Sequence, residues 1–288
     1  MTRSVLTLGA IFLGIVLPFG HAYVFLIRYF LMFMLFMAFI DIRLKWTSLS
    51  FKHLYILGLN ILSPLIIFYA LDYFNGHVAL ALFAAAITPT AIVAPVITSY
   101  LKKEVAFVAL SVIITNAAVA LLVPFMIPLV SGDNEVSTRE VIVPVLVTFA
   151  IPLAAAFLVQ RIHPAKKALL RVSPVSFVFF LGNVYLASAK ATDFITGQEN
   201  VKLSILIYIA VLTGILCIGN FKLGHLVGKP DFPSETAQSL GQKNTTFTIW
   251  IALTYINPIA ALGPMFYILF HNSYNSYQLY RMRHPQPD

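Results

Sequence analysis

The sequence predicts an all-α membrane protein with ten transmembrane helices in two inverted five-helix repeats. The fourth helix of each half is broken near mid-membrane. Three observations predict this. The chain of 288 residues is 59% hydrophobic and only 10% charged, whereas soluble domains carry about 25% charged residues. Apolar runs recur at the roughly 20-residue length a helix needs to cross about 30 Å of hydrocarbon. Two of those runs, at corresponding places in the two halves, carry helix breakers near their middle.

Hydropathy places the spans at 4–19, 22–41, 53–73, 77–101, 104–130, 139–160, 168–190, 202–227, 234–256 and 258–280, joined by short connections. The opening MTRSVLTLGAIFLGIVLPF has one positive charge before an apolar run, as a signal peptide does. No small-x-small cleavage site leading to a soluble domain follows, so it reads as the first span. The polar stretches of note are SGDNEVSTRE (131–140), ATDFITGQEN (191–200) and GKPDFP (228–233). Cys217 is the single cysteine, which excludes an internal disulfide and a cysteine metal site. No metal site and no cofactor is expected.

Charge sets the topology. With the N-terminus in the cytoplasm and ten crossings, the inner segments hold Arg3, the group Arg43, Lys45 and Lys52, and the pair Lys102 and Lys103. They also hold Arg161, Lys166, Lys167 and Arg171, then Lys222 and Lys229, then Arg281 and Arg283. The outer segments keep Arg139, Lys190 and Lys202, with Arg28 near the outer end of the second span, alongside Asp72, Asp133, Glu135, Asp193 and Glu199. This is the positive-inside pattern, with both termini cytoplasmic. Short loops point to a multi-pass protein of a bacterial inner membrane. The net charge of +8 is therefore topological, and no nucleic-acid partner is implied.

Five spans per half oblige the halves to lie in opposite orientation. VLTLGAIFLGIVLPF (5–19) and VLVTFAIPLAAAFLV (145–159) share Val5/Val145, Leu6/Leu146, Ala10/Ala150 and Ile11/Ile151. Span four contains ITPTAIVAP (87–95), whose Pro89 and Pro95 each remove a backbone donor and are expected to break the helix. Span nine contains SLGQKN (239–244), with Gly241 at the expected break. Counted from the span starts, both interruptions fall roughly 14–18 Å in, near the membrane middle. Paired broken helices in inverted halves are the sequence pointer to the binding site of a secondary transporter.

Lys243 stands at the second break. A lysine at mid-bilayer costs roughly 2.5–3.5 kcal/mol on insertion scales, so something must offset it. Glu235 is two turns away in a straight helix, and no other acidic residue lies mid-span. The candidate site comprises Lys243 with Gln242 and Asn244 at one break and Thr88 and Thr90 at the other. Thr115 and Asn116 in span five are expected to face the two breaks. A membrane threonine commonly bonds the carbonyl four residues back, and that reading stands beside the functional one. Asn60, near Pro64 in span three, is expected to line the core domain.

The stretch GQKNTTFTIWIALTYINPIAALGPMFYILFHN (241–272) resembles the bile acid:sodium symporter (BASS) family, as does the ten-helix inverted architecture. That family belongs to a superfamily with arsenite exporters and auxin-efflux-type carriers. The resemblance implies a mobile core domain, here about 53–130 and 202–280, and a panel domain, about 4–41 and 139–190, within one transporter spanning 1–288. It places substrate where spans four and nine cross, and gives Asn244 and the pair His271 and Asn272 contacts with substrate. The family's Glu-x-Gly-x-Gln-Asn, whose Glu and Gln ligate sodium, stands here as Ser239-Leu240-Gly241-Gln242-Lys243-Asn244. The Ser-Asn pair that serves sodium in span four falls on Ala94 and Pro95. The sodium ligands are gone, and an ammonium, which offers only donors, stands where one of them would be.

The resulting expectation is a sodium-independent secondary carrier that moves a small organic anion by alternating access, with Lys243 replacing the sodium ion and meeting the anion. The alternatives are a proton-coupled exporter or exchanger of the same fold, and a non-transporting membrane sensor. No Walker loop, nucleophile elbow, HExxH pair or acidic dyad is present, so no enzyme activity is expected. The partners expected are the anion and the lipid bilayer, with a homodimer among the assemblies left open.

Overall fold

The computed structural model describes residues 2–41, 45–131, 136–197 and 202–283. Arg43, Asp133, Glu135 and Glu199, used above to set the topology, lie outside them. The first half begins with α1 (Thr2–Val16) and, after a 3-10 turn over Pro18–Tyr23, α2 (Leu26–Asp41). It continues through α3 (Lys52–Asp72), α4 (Gly76–Ile87), α5 (Ala94–Tyr100) and α6 (Val105–Val130). The second half runs α7 (Thr138–Gln160), α8 (His163–Arg171), α9 (Val175–Thr196) and α10 (Leu203–Gly228). It ends with α11 (Pro233–Gly241), α12 (Thr245–Tyr255) and α13 (Leu262–Arg283). Among the described residues there is no strand, only one isolated antiparallel bridge between Thr90 and Lys243.

Five helices, α3, α6, α7, α9 and α10, are long and apolar enough to cross a membrane, and Val5–Val16, Leu26–Ile40 and Gly76–Ile87 are shorter apolar helices. Large apolar side chains face outward in number: Phe12, Phe19, Tyr73 and Phe74 are each more than half exposed. Soluble monomers rarely expose contiguous apolar surface on this scale. This is the build of a multi-pass membrane protein.

Local chemistry fixes several helix starts. Asn75 caps α4, its side-chain oxygen accepting from the Val78 amide at 3.1 Å. Ser137 and Glu140 form a reciprocal capping box at the start of α7, which satisfies two of the amides a helix start leaves free. Where spans were expected, three boundaries differ. The seventh was placed at 168–190, yet a separate short helix, α8, occupies its first residues, and α9 begins only after Pro174. The expected outer stretch 191–200 is helical as far as Thr196, with Lys190 bridging Asp193 at 3.2 Å in the last turn. The tenth begins at Leu262 rather than 258, because Asn257 and Pro258 make a turn in which the Asn257 side chain accepts from the Ala260 amide at 2.8 Å.

Packing brings together α3 with α4 and α10 with α11 as consecutive pairs, and α1 with α9 and α2 with α7 across the halves. Helix α13 runs against α10 and α4. Its approach to α4 is so close that a Cβ at Gly263 would lie 1.9 Å from the Ala81 carbonyl oxygen. Helix α12 reaches across to α2 and α9.

Candidate functional site

The fourth and ninth expected spans are each two helices separated by a short non-helical segment. Residues 88–93 separate α4 from α5, and 242–244 separate α11 from α12. Pro89 lies in the first interruption. Pro95, expected to be a second breaker, instead occupies the first turn of α5, where the missing amide hydrogen has no intrahelical partner to lose. Gly241 ends α11, and a Cβ there would lie 2.4 Å from the Phe221 ring, so any other residue obliges that ring to shift.

The two interruptions lie against each other as a two-stranded antiparallel contact. The Ala91 amide donates to the Gln242 carbonyl at 2.8 Å, and the Asn244 amide donates to the Pro89 carbonyl at 2.8 Å. Breaking two helices frees backbone groups that would be costly to leave bare away from water, and pairing the breaks satisfies several of them. Each break also sends one side chain to the C-terminal end of the other's preceding helix. Thr90 Oγ1 donates to the Ser239 carbonyl of α11 at 2.6 Å. Lys243 Nζ donates to the Ala86 carbonyl of α4 at 3.1 Å and to Asn60 Oδ1 of α3.

These contacts answer the cost of a buried lysine. The Lys243 side chain is 2% exposed, and its ammonium sits where the unpaired carbonyls of α4 concentrate negative partial charge. The partner is a helix end and an asparagine amide, with no carboxylate involved. Glu235 is committed elsewhere, accepting from the Glu104 amide at 2.9 Å.

The remaining candidates divide. Asn116 Nδ2 donates to the carbonyls of Thr90 at 2.9 Å and Val112 at 2.8 Å, and its oxygen accepts from Asn244 Nδ2 at 3.0 Å. Thr115 Oγ1 accepts from the Thr90 amide at 3.0 Å while donating to the Ser111 carbonyl. Thr88 donates to the Ala84 carbonyl at 2.8 Å and pairs with Thr248 Oγ1 at 2.7 Å. Gln242 Nε2 donates to Gln238 Oε1 at 3.1 Å, whereas Gln242 Oε1 and Asn60 Nδ2 are buried with no partner. His271 lies one turn past Tyr267 on α13, its ring edge-on to the Tyr267 ring at 5.7 Å and its Nδ1 unpartnered. Asn272, half-buried, makes no hydrogen bond to the crossing among the described residues; its backbone carbonyl accepts from Ser276 Oγ at 2.9 Å.

Sequence reasoning missed three contributors. Ser239 and Ser111 join through their hydroxyls at 2.9 Å. Tyr267 donates to the Gly241 carbonyl at 3.0 Å and accepts from Asn220 at 3.1 Å. The i, i+4 spacing of Ser111 and Thr115 is a signal for the first of these. Nothing in the chain around Tyr267 marks it. Among the described residues, no group of three or more His, Cys, Asp or Glu gathers as a metal site.

No protein-family model matches the chain, and no characterised protein matches it in sequence.

Proposed function

We propose that this protein is a ten-span secondary carrier with two inverted five-helix repeats, moving a small organic anion by alternating access without sodium. The observation that carries the reading is the meeting of two helix breaks, with a lysine ammonium buried at the C-terminal end of one half-helix. Non-helical backbone at membrane depth is tolerated only where it is buried in protein or lines a cavity, and in carriers it forms the transport site. A fixed ammonium there supplies the charge that a coupling cation would otherwise bring.

Two further features support the reading. Exchanging the halves maps the pairing of α1 with α9 onto that of α7 with α2, and that of α3 with α4 onto that of α10 with α11. That is what a two-fold relation between inverted repeats requires. The orphaned Gln242 Oε1 and Asn60 Nδ2 belong to residues beside and bonded to Lys243, and buried polar groups without partners call for water or a solute.

The test is thermal stability of the detergent-purified protein against a panel of small carboxylates, each with sodium and with choline. An anion at 100 times its Kd adds about 2.7 kcal/mol of stability. The reading predicts an equal shift in both salts. A shift that requires sodium points to an ordinary symporter. A panel in which only neutral or cationic solutes act removes the anion.

A further inference from the structure

Resting on that reading, we infer that the group meeting the anion's charge is Arg28, at the seam between α2 and α12, while Lys243 serves as the internal cation of the crossing. Lys243 is turned into the protein, where Asn60 and the Ala86 carbonyl take its ammonium. An anion would have to displace one of these to reach it.

Arg28 is placed differently. It lies in the first turn of α2 and is only half-buried. Its Nε donates to Thr148 Oγ1 at 2.8 Å and its Nη2 to the Pro144 carbonyl at 3.3 Å, both on α7. Thr148 Oγ1 donates to the same Pro144 carbonyl at 2.6 Å, which leaves its lone pairs free for Arg28. A guanidinium has five N–H donors, so two bonds anchor it and three donors remain. The only ion pair among the described residues is Lys190 with Asp193, so no carboxylate among them pairs with Arg28.

The surroundings suit an organic anion. The guanidinium carbon is 5.7 Å from the centre of the Trp250 ring on α12, and Trp250 meets the Tyr255 ring edge-on at 6.0 Å. Trp250 comes five residues after Thr245, the first residue of α12, so it stands roughly 8 Å along the helix from the break. A planar carboxylate accepts two parallel bonds from a guanidinium fork, and the aromatic rings offer an apolar wall for its body. Arg28 and its anchors belong to α2 and α7, while Trp250 and the break belong to the α11 and α12 pair. An anion held here would touch both groups of helices that alternating access moves apart.

The experiment measures Kd for a panel of aromatic and aliphatic monocarboxylates, benzoate and hexanoate among them, each beside its neutral amide. Wild type is expected to prefer the carboxylate at least ten-fold. Arg28→Gln is expected to erase that preference while still binding the amide, which also certifies its fold. Arg28→Lys, a second variant that keeps the charge but loses the fork, is expected to keep a preference reduced at least three-fold. Lys243→Met is expected to weaken carboxylate and amide alike. If Arg28→Gln keeps the full preference, or Lys243→Met selectively loses it, the assignment to Arg28 is overturned while anion transport stands. If wild type binds no carboxylate better than its amide, the anion reading itself fails.

Discussion

Replacing Lys243 with methionine keeps an unbranched stem of similar length and removes the ammonium. Hydrogen bonds to a charged group contribute about 1.5–3 kcal/mol each, and a buried acceptor left bare costs about 1–3 kcal/mol. Two such acceptors, Asn60 Oδ1 and the Ala86 carbonyl, face Nζ. Against this, the variant no longer desolvates a charge, which offsets several kcal/mol. The expected net loss is about 2–4 kcal/mol. At about 2–4 °C per kcal/mol for a large domain, the Tm falls by roughly 4–16 °C. Tryptophan fluorescence during thermal unfolding in detergent reads this out. The companion variant Asn60→Leu removes one orphaned acceptor, so Lys243→Met with Asn60→Leu should be less destabilised than the two single losses added. Such coupling is what a double-mutant cycle measures for residues in contact. A Lys243→Met Tm within 1 °C of wild type, or strictly additive losses, would refute the claim that the ammonium holds the crossing together.

Other outcomes follow from the same geometry. Gly241→Ala sets a Cβ 2.4 Å from the Phe221 ring; it should cost about 1–3 kcal/mol by overpacking, and Phe221→Leu should restore part of the lost Tm. Asn116→Ala breaks bonds to the Thr90 and Val112 carbonyls and from Asn244; thermal unfolding should show a loss of about 2–4 kcal/mol for this buried network. Lys243→Gln removes the fixed cation and supplies an oxygen ligand at that place. Sodium should then stabilise the variant over choline in a thermal-shift assay, while wild type shows no difference between the salts.

Much of the architecture was legible because it rests on composition and on backbone chemistry. Apolar runs gave the helices, and Pro89 and Gly241 marked both interruptions. Boundaries set by turns were less readable. Pro174 delays α9, and the Asn257 turn delays α13, although hydropathy runs smoothly through both places. Pro95 was misread because proline opens a helix as readily as it breaks one, and only the location of the following helix decides. At the site, Lys243 was conspicuous by its cost, and Asn60 was noticed without its partner, since the two are 183 residues apart in sequence. Tyr267 was invisible, being one tyrosine among 13 with no local motif. Arg28 was read as a topological charge; its anchor, Thr148, lies 120 residues away, and only packing of α2 on α7 reveals that a hydroxyl and a backbone carbonyl hold it.

The most direct test of the central claim is uptake of a radiolabelled carboxylate, chosen from the binding panel, into proteoliposomes bathed in sodium or in choline. The account predicts saturable uptake at the same rate in both salts, lost in Lys243→Met. Uptake that requires sodium, or none above protein-free liposomes for any carboxylate that binds, would contradict it.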